Sequence, residues 1–129
     1  MYQILAFLIF MILGGFESLY KVLHLIEDEK IVLAILYSMR NLSDAATNLE
    51  TLAPVVNYLL VRINDQIDEE TVSCCSGILS NLTCNNTTNK QTICANNGIQ
   101  ILARCLTRFA NIEDITEPTL CTLRHCTVC

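Results

Sequence analysis

The sequence MRNLS at residues 39–43 returns as LSNLT at 79–83 and as LRHCT at 123–127. Each copy has an apolar residue, a polar residue, Asn or His, another apolar residue and then a hydroxyl. The central residues are Asn41, Asn81 and His125, which are separated by 40 and 44 positions. A second pattern, a Gly and an apolar residue followed by two Leu four positions apart, starts at Gly15 and again at Gly98. The chain is therefore built from repeated units of about 40 residues.

Apolar residues recur at helical spacing around these repeats. Six such stretches lie within residues 16–26, 32–42, 49–63, 72–82, 99–106 and 116–123. Gly and Pro together number only six, and Pro54 and Pro118 lie early in their predicted helices, where a missing N–H does no harm. The chain is predicted to be all-α. A helical period near 40 residues is typical of armadillo and HEAT solenoids.

The repeats suggest a simple domain organisation. An apolar helix at residues 1–13 precedes about three units, at approximately 14–47, 48–86 and 87–129. Residues 1–13 lack the basic flank and cleavage site of a secretion signal and are shorter than the roughly 20 apolar residues that span a bilayer. We expect a buried helix there, or the open end of a longer fold. Because no unit can bury its own apolar face, neighbouring units should stack around one continuous core.

Charge and cysteine content argue against several function classes. Thirteen acidic and eight basic residues give a net charge of −5, which opposes direct nucleic-acid binding by the whole chain. The eight cysteines all lie in the second half, mostly at apolar-periodic positions, which favours free core thiols over disulfides or a metal site. The tail carries His125 with Cys121, Cys126 and Cys129 but no second ligand pair. We expect no enzyme activity, cofactor or metal.

Three longer strings are specific enough to indicate a family. RNLSDAAT at 40–47, GILSNLTCNN at 77–86 and EDITEPTLCTLRH at 113–125 resemble successive segments of the β-catenin, armadillo and plakoglobin family. The likeness extends from about residue 14 to residue 125 and leaves residues 1–13 unmatched. It implies an armadillo α-solenoid, a right-handed superhelix of three-helix repeats, truncated to about three central repeats.

The resemblance implies a protein scaffold. In that family the third helix of each repeat lines a groove that takes extended acidic peptides, such as cadherin tails and T-cell-factor-type transcription factors, in cell adhesion and Wnt signalling. The implied location is cytoplasmic, with nuclear and cell-junction pools. Neither membrane insertion nor direct nucleic-acid binding is expected.

Five residues are candidates for this groove: Arg40, Asn41, Asn81, Arg124 and His125. At one register of equivalent helices, Asn41 and Asn81 form a ladder whose amides can pair with an extended peptide backbone. Arg40 and Arg124 can hold carboxylates, and His125 on the third rung can donate to a peptide carboxylate. Two alternatives stay open: the Asn side chains cap helix ends, and the Arg side chains are ordinary solvated residues.

Two departures from the family pattern bear on binding. Family members carry Lys directly after the DAAT string, where this chain has Asn48. Losing one charge-assisted pair costs about 1.5–3 kcal/mol of binding. The family's Gly-Gly before the helix at residue 99 is reduced to Asn97-Gly98, which still allows a tight turn because Asn tolerates positive φ.

Two other functions stay open on the sequence alone. One is a structural or dominant-negative fragment that binds no ligand. The other is a secreted or membrane-anchored Cys-rich protein, which would be glycosylated at the Asn-x-Ser/Thr sites Asn41, Asn81, Asn85 and Asn86.

Overall fold

The computed structural model describes residues 2–5, 14–47, 49 and 52–128. Residues 2–5 are helical. Within residues 14–128 the described part of the chain forms seven α-helices and a short 3₁₀ helix: α1 Gly15–Leu23, α2 Glu29–Ala46, α3 Ala53–Asp65, α4 Glu69–Thr83, α5 Thr87–Ala95, α6 Gly98–Arg108, α7 Glu113–His125 and the 3₁₀ helix Cys126–Val128. These described residues contain no strand, so the all-α prediction is confirmed.

Short polar side chains start several of these helices. Asp28 accepts a hydrogen bond from the backbone N–H of Lys30 at the start of α2, at 2.9 Å. Asp68 accepts from the N–H of Thr71 at the start of α4, at 3.0 Å. Such caps satisfy backbone donors that the first turn of a helix leaves unpaired. These two caps therefore mark where α2 and α4 begin.

The helices pack in two layers. In the first layer, α2, α4 and α7 lie side by side, with α4 between the other two. The second layer consists of α1, α3 and α6, which pack against α2, α4 and α7 respectively, and α3 also contacts α6. One continuous core runs between the layers, with fully buried side chains from both, among them Leu36, Met39, Leu59, Ile63, Ile78, Leu79 and Leu102. The stacking expected for repeated units is thus observed.

The structure differs from the sequence prediction at three places in the helices. Helix α5 was not predicted, because Asn89 and Ile93 are its only buried described residues and they give no apolar stripe. Leu49 lies before α3 and outside it. Pro54 stands in the first turn of α3 as predicted, whereas Pro118 lies inside α7, so the prediction that it lies early in its helix is wrong.

The cysteine prediction is right only in part. Cys74, Cys75 and Cys105 are buried free thiols in the core, as expected for small apolar residues. Cys84 and Cys94 are exposed, so the prediction of core positions is wrong for these two, which lie at the end of α4 and in the weakly apolar α5.

The predicted apolar helix at residues 1–13 lies mostly outside the described residues. In the part that is described, residues 2–5, the side chains of Tyr2, Ile4 and Leu5 are exposed, so burial is not observed there. None of the helices formed by the described residues combines the length and the apolar character needed to cross a membrane. The predicted repeat boundaries near residues 48 and 87 stay predictions.

Candidate peptide-binding groove

The three ladder residues occupy equivalent places on the layer formed by α2, α4 and α7. Asn41, Asn81 and His125 are each the thirteenth residue of their helix, counted from Glu29, Glu69 and Glu113. Since these helices lie side by side, the same register places the three residues in one row. We call this row the ladder. Its first member, Asn41, is exposed, and among the described residues no partner holds its amide.

Asn81, the middle rung, is half-buried and tied to the preceding repeat. Its Nδ2 donates a hydrogen bond to the Oγ of Ser43 at 2.8 Å, and its backbone carbonyl accepts one from the Oγ1 of Thr47 at 3.3 Å. Ser43 is fully buried. The amide of Asn81 therefore joins α4 to α2 and does not cap its own helix, which contradicts the capping alternative for this residue.

His125, the third rung, repeats this arrangement one helix further on. Its Nδ1 lies 2.9 Å from the Oγ1 of Thr83, a fully buried residue near the end of α4. Partial burial lowers the pKa of His125, and the positive charges of Arg124 and Lys90 lower it further. The imidazole is therefore neutral near pH 7.

Three residues of this site were missed by the sequence analysis. Ser43 and Thr83 are the hydroxyl positions of the repeated motif itself, so the signal was present, but a pattern along one helix cannot reveal a partner on the next. Lys90 lies on α5, the helix without an apolar stripe, and no motif pointed to it. Its positive charge acts on His125 together with that of Arg124.

Arg40 lies at the other end of the ladder, over α4, the neighbouring helix of the same layer. Its guanidinium stacks on the ring of Tyr37, with the Cζ atom 5.0 Å from the ring centroid. The side chain passes across Gly77, where a Cβ would stand 3.1 Å from the Arg40 Cδ. The missing side chain at residue 77 therefore leaves room for Arg40 against α4.

A cleft of about 450 Å³ opens beside this arginine. The phenol of Tyr37 donates to the Oε2 of Glu70 across it, at 3.4 Å. Three carboxylate residues line the cleft, so its surroundings are not predominantly basic, contrary to what the arginine alone indicated. The lining residues are Tyr37, Arg40, Glu69, Glu70, Ser73, Gly77, Ile112, Asp114 and Pro118.

Arg124 is exposed on α7, in a separate cleft of about 470 Å³ lined by Glu113, Thr116, Glu117, Leu120 and Cys121. Arg40 and Arg124 thus lie at opposite ends of the row and line different clefts. Asn48, the position where the family pattern is lost, lies outside the described residues. Asn97 adopts a φ of 58°, which agrees with the expected tight turn before α6.

The buried cysteines are unsuited to thiolate chemistry. Burial raises the pKa of Cys75 to about 12, and burial also raises the pKa of Cys74 and of Cys105. Among the described residues, no three His, Cys, Asp or Glu side chains are arranged to hold a metal ion. The tail residues weighed as metal ligands were Cys121, His125, Cys126 and Cys129. Of these, His125 contacts Thr83, and Cys129 lies outside the described residues.

Comparison with known proteins identifies clear relatives. The β-catenin-like protein hmp-2 of Caenorhabditis elegans is 50% identical over 115 residues, which cover 89% of this chain and 17% of hmp-2. The armadillo segment polarity protein of Musca domestica is 43% identical over 115 residues, which cover 88% of this chain and 14% of that protein. This chain therefore spans less than a fifth of the length of these relatives. No protein-family model matches it.

A solved structure gives the same result for the fold. It comes from work on a conserved phosphorylation switch that controls the interaction between cadherin and β-catenin. The two structures superpose with a TM-score of 0.87 at 47% sequence identity, over 91% of this chain and 23% of the solved one. The predicted armadillo solenoid is thus confirmed. The relatives are structural scaffold proteins and not enzymes. Both the sequence identity and the shared helical solenoid show that this chain belongs to the β-catenin, armadillo and plakoglobin family.

Proposed function

We propose that this chain is a scaffold segment that binds an extended acidic peptide of the cadherin-tail type along α2, α4 and α7. The observation that carries the proposal is the ladder, in which Asn41, Asn81 and His125 share the thirteenth position of three adjacent helices. The similarity to a β-catenin structure from work on its interaction with cadherin supports the same ligand class. We further propose a cytoplasmic location with cell-junction and nuclear pools.

The chemistry of the ladder suits a peptide backbone. An extended chain presents N–H and C=O groups at regular intervals, and an Asn amide can pair with both. Asn41 is exposed, so its amide is accessible to a ligand. Asn81 is held by Ser43 through only one of its amide groups, at 2.8 Å, so its Oδ1 can still accept. The row can therefore bind the backbone of a peptide independently of the peptide's side chains.

The charges along the row indicate where acidic side chains of the ligand bind. Near the third rung, the two positive charges of Lys90 and Arg124 stand against two carboxylates, Glu113 and Glu117, that line the cleft of Arg124. At the other end a single arginine stands against three carboxylates, so we place the main carboxylate contact near the third rung. Glu69, Glu70 and Asp114 surround the cleft beside Arg40 and weaken the attraction at the opposite end. The ligand should therefore carry its acidic residues near His125 and a less acidic stretch near Tyr37.

Binding of a fluorescently labelled cadherin-tail peptide, followed by anisotropy, tests the proposal. We expect Asn41→Ala to weaken binding about tenfold, because about 1–1.5 kcal/mol of peptide hydrogen bonding is lost. The urea midpoint should stay unchanged, because Asn41 is exposed. Gln100→Ala on α6, outside the ladder layer, is the matched control and should bind like the unmodified chain. Equal affinity of the two variants would contradict the role given to Asn41. Absence of binding by the unmodified chain would support the rival proposal of a structural fragment without a ligand.

A second candidate ligand is a peptide of the T-cell-factor type, which would place the chain in Wnt signalling as well as adhesion. The ladder supports it on the same ground, since backbone recognition does not depend on the peptide's sequence. Competition between an unlabelled T-cell-factor-type peptide and the labelled cadherin peptide tests it. Full displacement indicates a shared groove, and lack of displacement at saturating peptide rules this ligand out.

A further inference from the structure

The contact between His125 and Thr83 bears on which ring nitrogen of His125 carries the hydrogen. The Thr83 hydroxyl has a single hydrogen, and its Oγ1 lies 2.9 Å from the carbonyl oxygen of Leu79 and 3.2 Å from that of Ser80, both in its own helix. A threonine in a helix commonly donates to such a carbonyl. With the hydrogen used there, Oγ1 can only accept at the 2.9 Å contact with Nδ1 of His125, so Nδ1 must carry a hydrogen.

The equivalent contact one repeat earlier has the same polarity. The Oγ of Ser43 donates to the carbonyl of Arg40 at 2.8 Å and accepts from the Nδ2 of Asn81, also at 2.8 Å. Ser43 thus donates within its own helix and accepts from the rung of the next helix, and Thr83, which is equally buried, is placed to do the same. The second and third rungs would then both turn a donor toward the protein, and the group left for a ligand would include an acceptor: Oδ1 of Asn81 and Nε2 of His125.

We infer that Thr83 holds His125 in the Nδ1–H tautomer, so that Nε2 is presented to the groove as an acceptor for a backbone N–H of the bound peptide. Thr83 is then a positioning residue, and His125 recognises peptide backbone and not a carboxylate. This differs from the donor role expected from the sequence. The backbone-acceptor part rests on the proposed peptide binding, whereas the tautomer is a property of the free protein.

The charges around the ring favour this neutral form. Lys90 from α5 and Arg124 from α7 are both positive and oppose a second proton on His125, and α4 contributes the uncharged Thr83. A protonated ring would carry hydrogens on both nitrogens, and Nε2 could no longer accept. The acceptor role therefore requires a pH above the lowered pKa of His125.

Nitrogen-15 NMR of the free 129-residue chain tests the tautomer. The chain has two histidines, so a sample labelled at histidine gives two rings, and the variant His24→Gln assigns the signals of His125. At neutral pH we expect the long-range proton–nitrogen pattern of an Nδ1–H ring for His125. Thr83→Val should shift the ring toward the Nε2–H form, and Thr83→Ser should restore it. Thr119→Val, a change at an equally buried threonine that bonds only within α7 and to Cys105, is the control and should change nothing. An Nε2–H ring in the unmodified chain, or no response to Thr83→Val, would overturn the inference.

A scan of cadherin-tail peptides, each with one backbone amide methylated, tests the acceptor role. We expect one methylated position to weaken binding to the unmodified chain about tenfold, and the same position to have no further effect in His125→Phe. If the parent peptide binds but no methylated position depends on His125, the acceptor role is wrong while the proposed function stands. If the parent peptide does not bind, the proposed function fails and the acceptor role with it.

Discussion

Single residues in this chain matter according to what the neighbouring repeat places beside them. Gly77 and Gly98 show the difference. A Cβ at residue 98 would lie 2.3 Å from the Cγ2 of Ile93 and 2.6 Å from its carbonyl oxygen, so backbone blocks the space. A Cβ at residue 77 would meet only the side chain of Arg40, at 3.1 Å from its Cδ and 3.6 Å from its Cγ, and this long side chain can move. One glycine therefore serves packing and the other leaves room for a candidate ligand contact.

We predict opposite effects for alanine at these two glycines. Gly98→Ala should destabilise the chain by about 1–3 kcal/mol, because α5 and α6 must separate. Gly77→Ala should leave stability within about 0.5 kcal/mol and gain a little helix propensity, while it displaces Arg40. Urea unfolding followed by circular dichroism measures both. A Gly77 variant as unstable as the Gly98 variant would contradict the assignment.

Thiol reactivity should follow burial among the cysteines. Cys84 is exposed, whereas Cys75 is fully buried with its pKa raised to about 12, so almost none of it is thiolate at pH 8. We expect maleimide to label Cys84 in the native chain within minutes and Cys75 only after unfolding. Mass spectrometry of tryptic peptides measures both sites, and a denatured sample is the control. Rapid native labelling of Cys75 would show that the core opens readily.

At the scale of helices, α7 contains a proline, and a residue of α4 replaces the hydrogen bond that this proline cannot make. Pro118 has no N–H, so it cannot make the usual helix bond to the carbonyl of Asp114. The hydroxyl of Ser73, on α4, donates to that carbonyl instead at 3.2 Å. The same bond links the two helices that carry the second and third rungs. A proline inside the helix is thus tolerated because a side chain from the next helix replaces the missing donor.

A double-mutant cycle tests this replacement. Ser73→Ala alone should cost about 1 kcal/mol of unfolding free energy, because the Asp114 carbonyl loses its donor. In the Pro118→Ala background the same change should cost less, because the new N–H at residue 118 can pair with that carbonyl. Urea unfolding of the four proteins gives the coupling energy. Equal costs in the two backgrounds would show that Ser73 does not serve this carbonyl.

At the scale of the whole molecule, hydrogen bonds and an ion pair link helices of different repeats. The guanidinium of Arg108, at the end of α6, donates to the carbonyl of Asn64 at 2.8 Å and to that of Ile63 at 3.2 Å, and also to that of Gln66. These carbonyls end α3, where a helix presents partial negative charge. By contrast, Arg62 and Glu29 form an ion pair at 3.0 Å that is largely exposed on the glutamate side. Such exposed pairs contribute at most about 1 kcal/mol.

We predict that Arg108→Gln destabilises the chain by about 1–2 kcal/mol, because three carbonyls lose a charged donor. Arg104→Gln on the same helix is the matched control. It removes one 3.1 Å bond to the side chain of Asn64 and should cost less than about 0.5 kcal/mol. Thermal melts at equal protein concentration compare the two. Hydrogen exchange at the end of α3 should accelerate in the first variant only.

The amino-acid sequence was enough to predict the helical class, the period near 40 residues and the shared register of Asn41, Asn81 and His125. These features depend on spacing along one helix and on repetition, which a single chain displays directly. The family came from the resemblance of three longer strings to known proteins. The contacts of the row became visible only in the folded chain: Ser43 and Thr83 lie behind it, Lys90 lies beside it, and carboxylates surround Arg40. The tertiary structure also decided that Cys84 and Cys94 are exposed, and that α5 exists. The physical reason is that these properties depend on residues some 30 to 45 positions apart that meet only when one repeat stacks on the next.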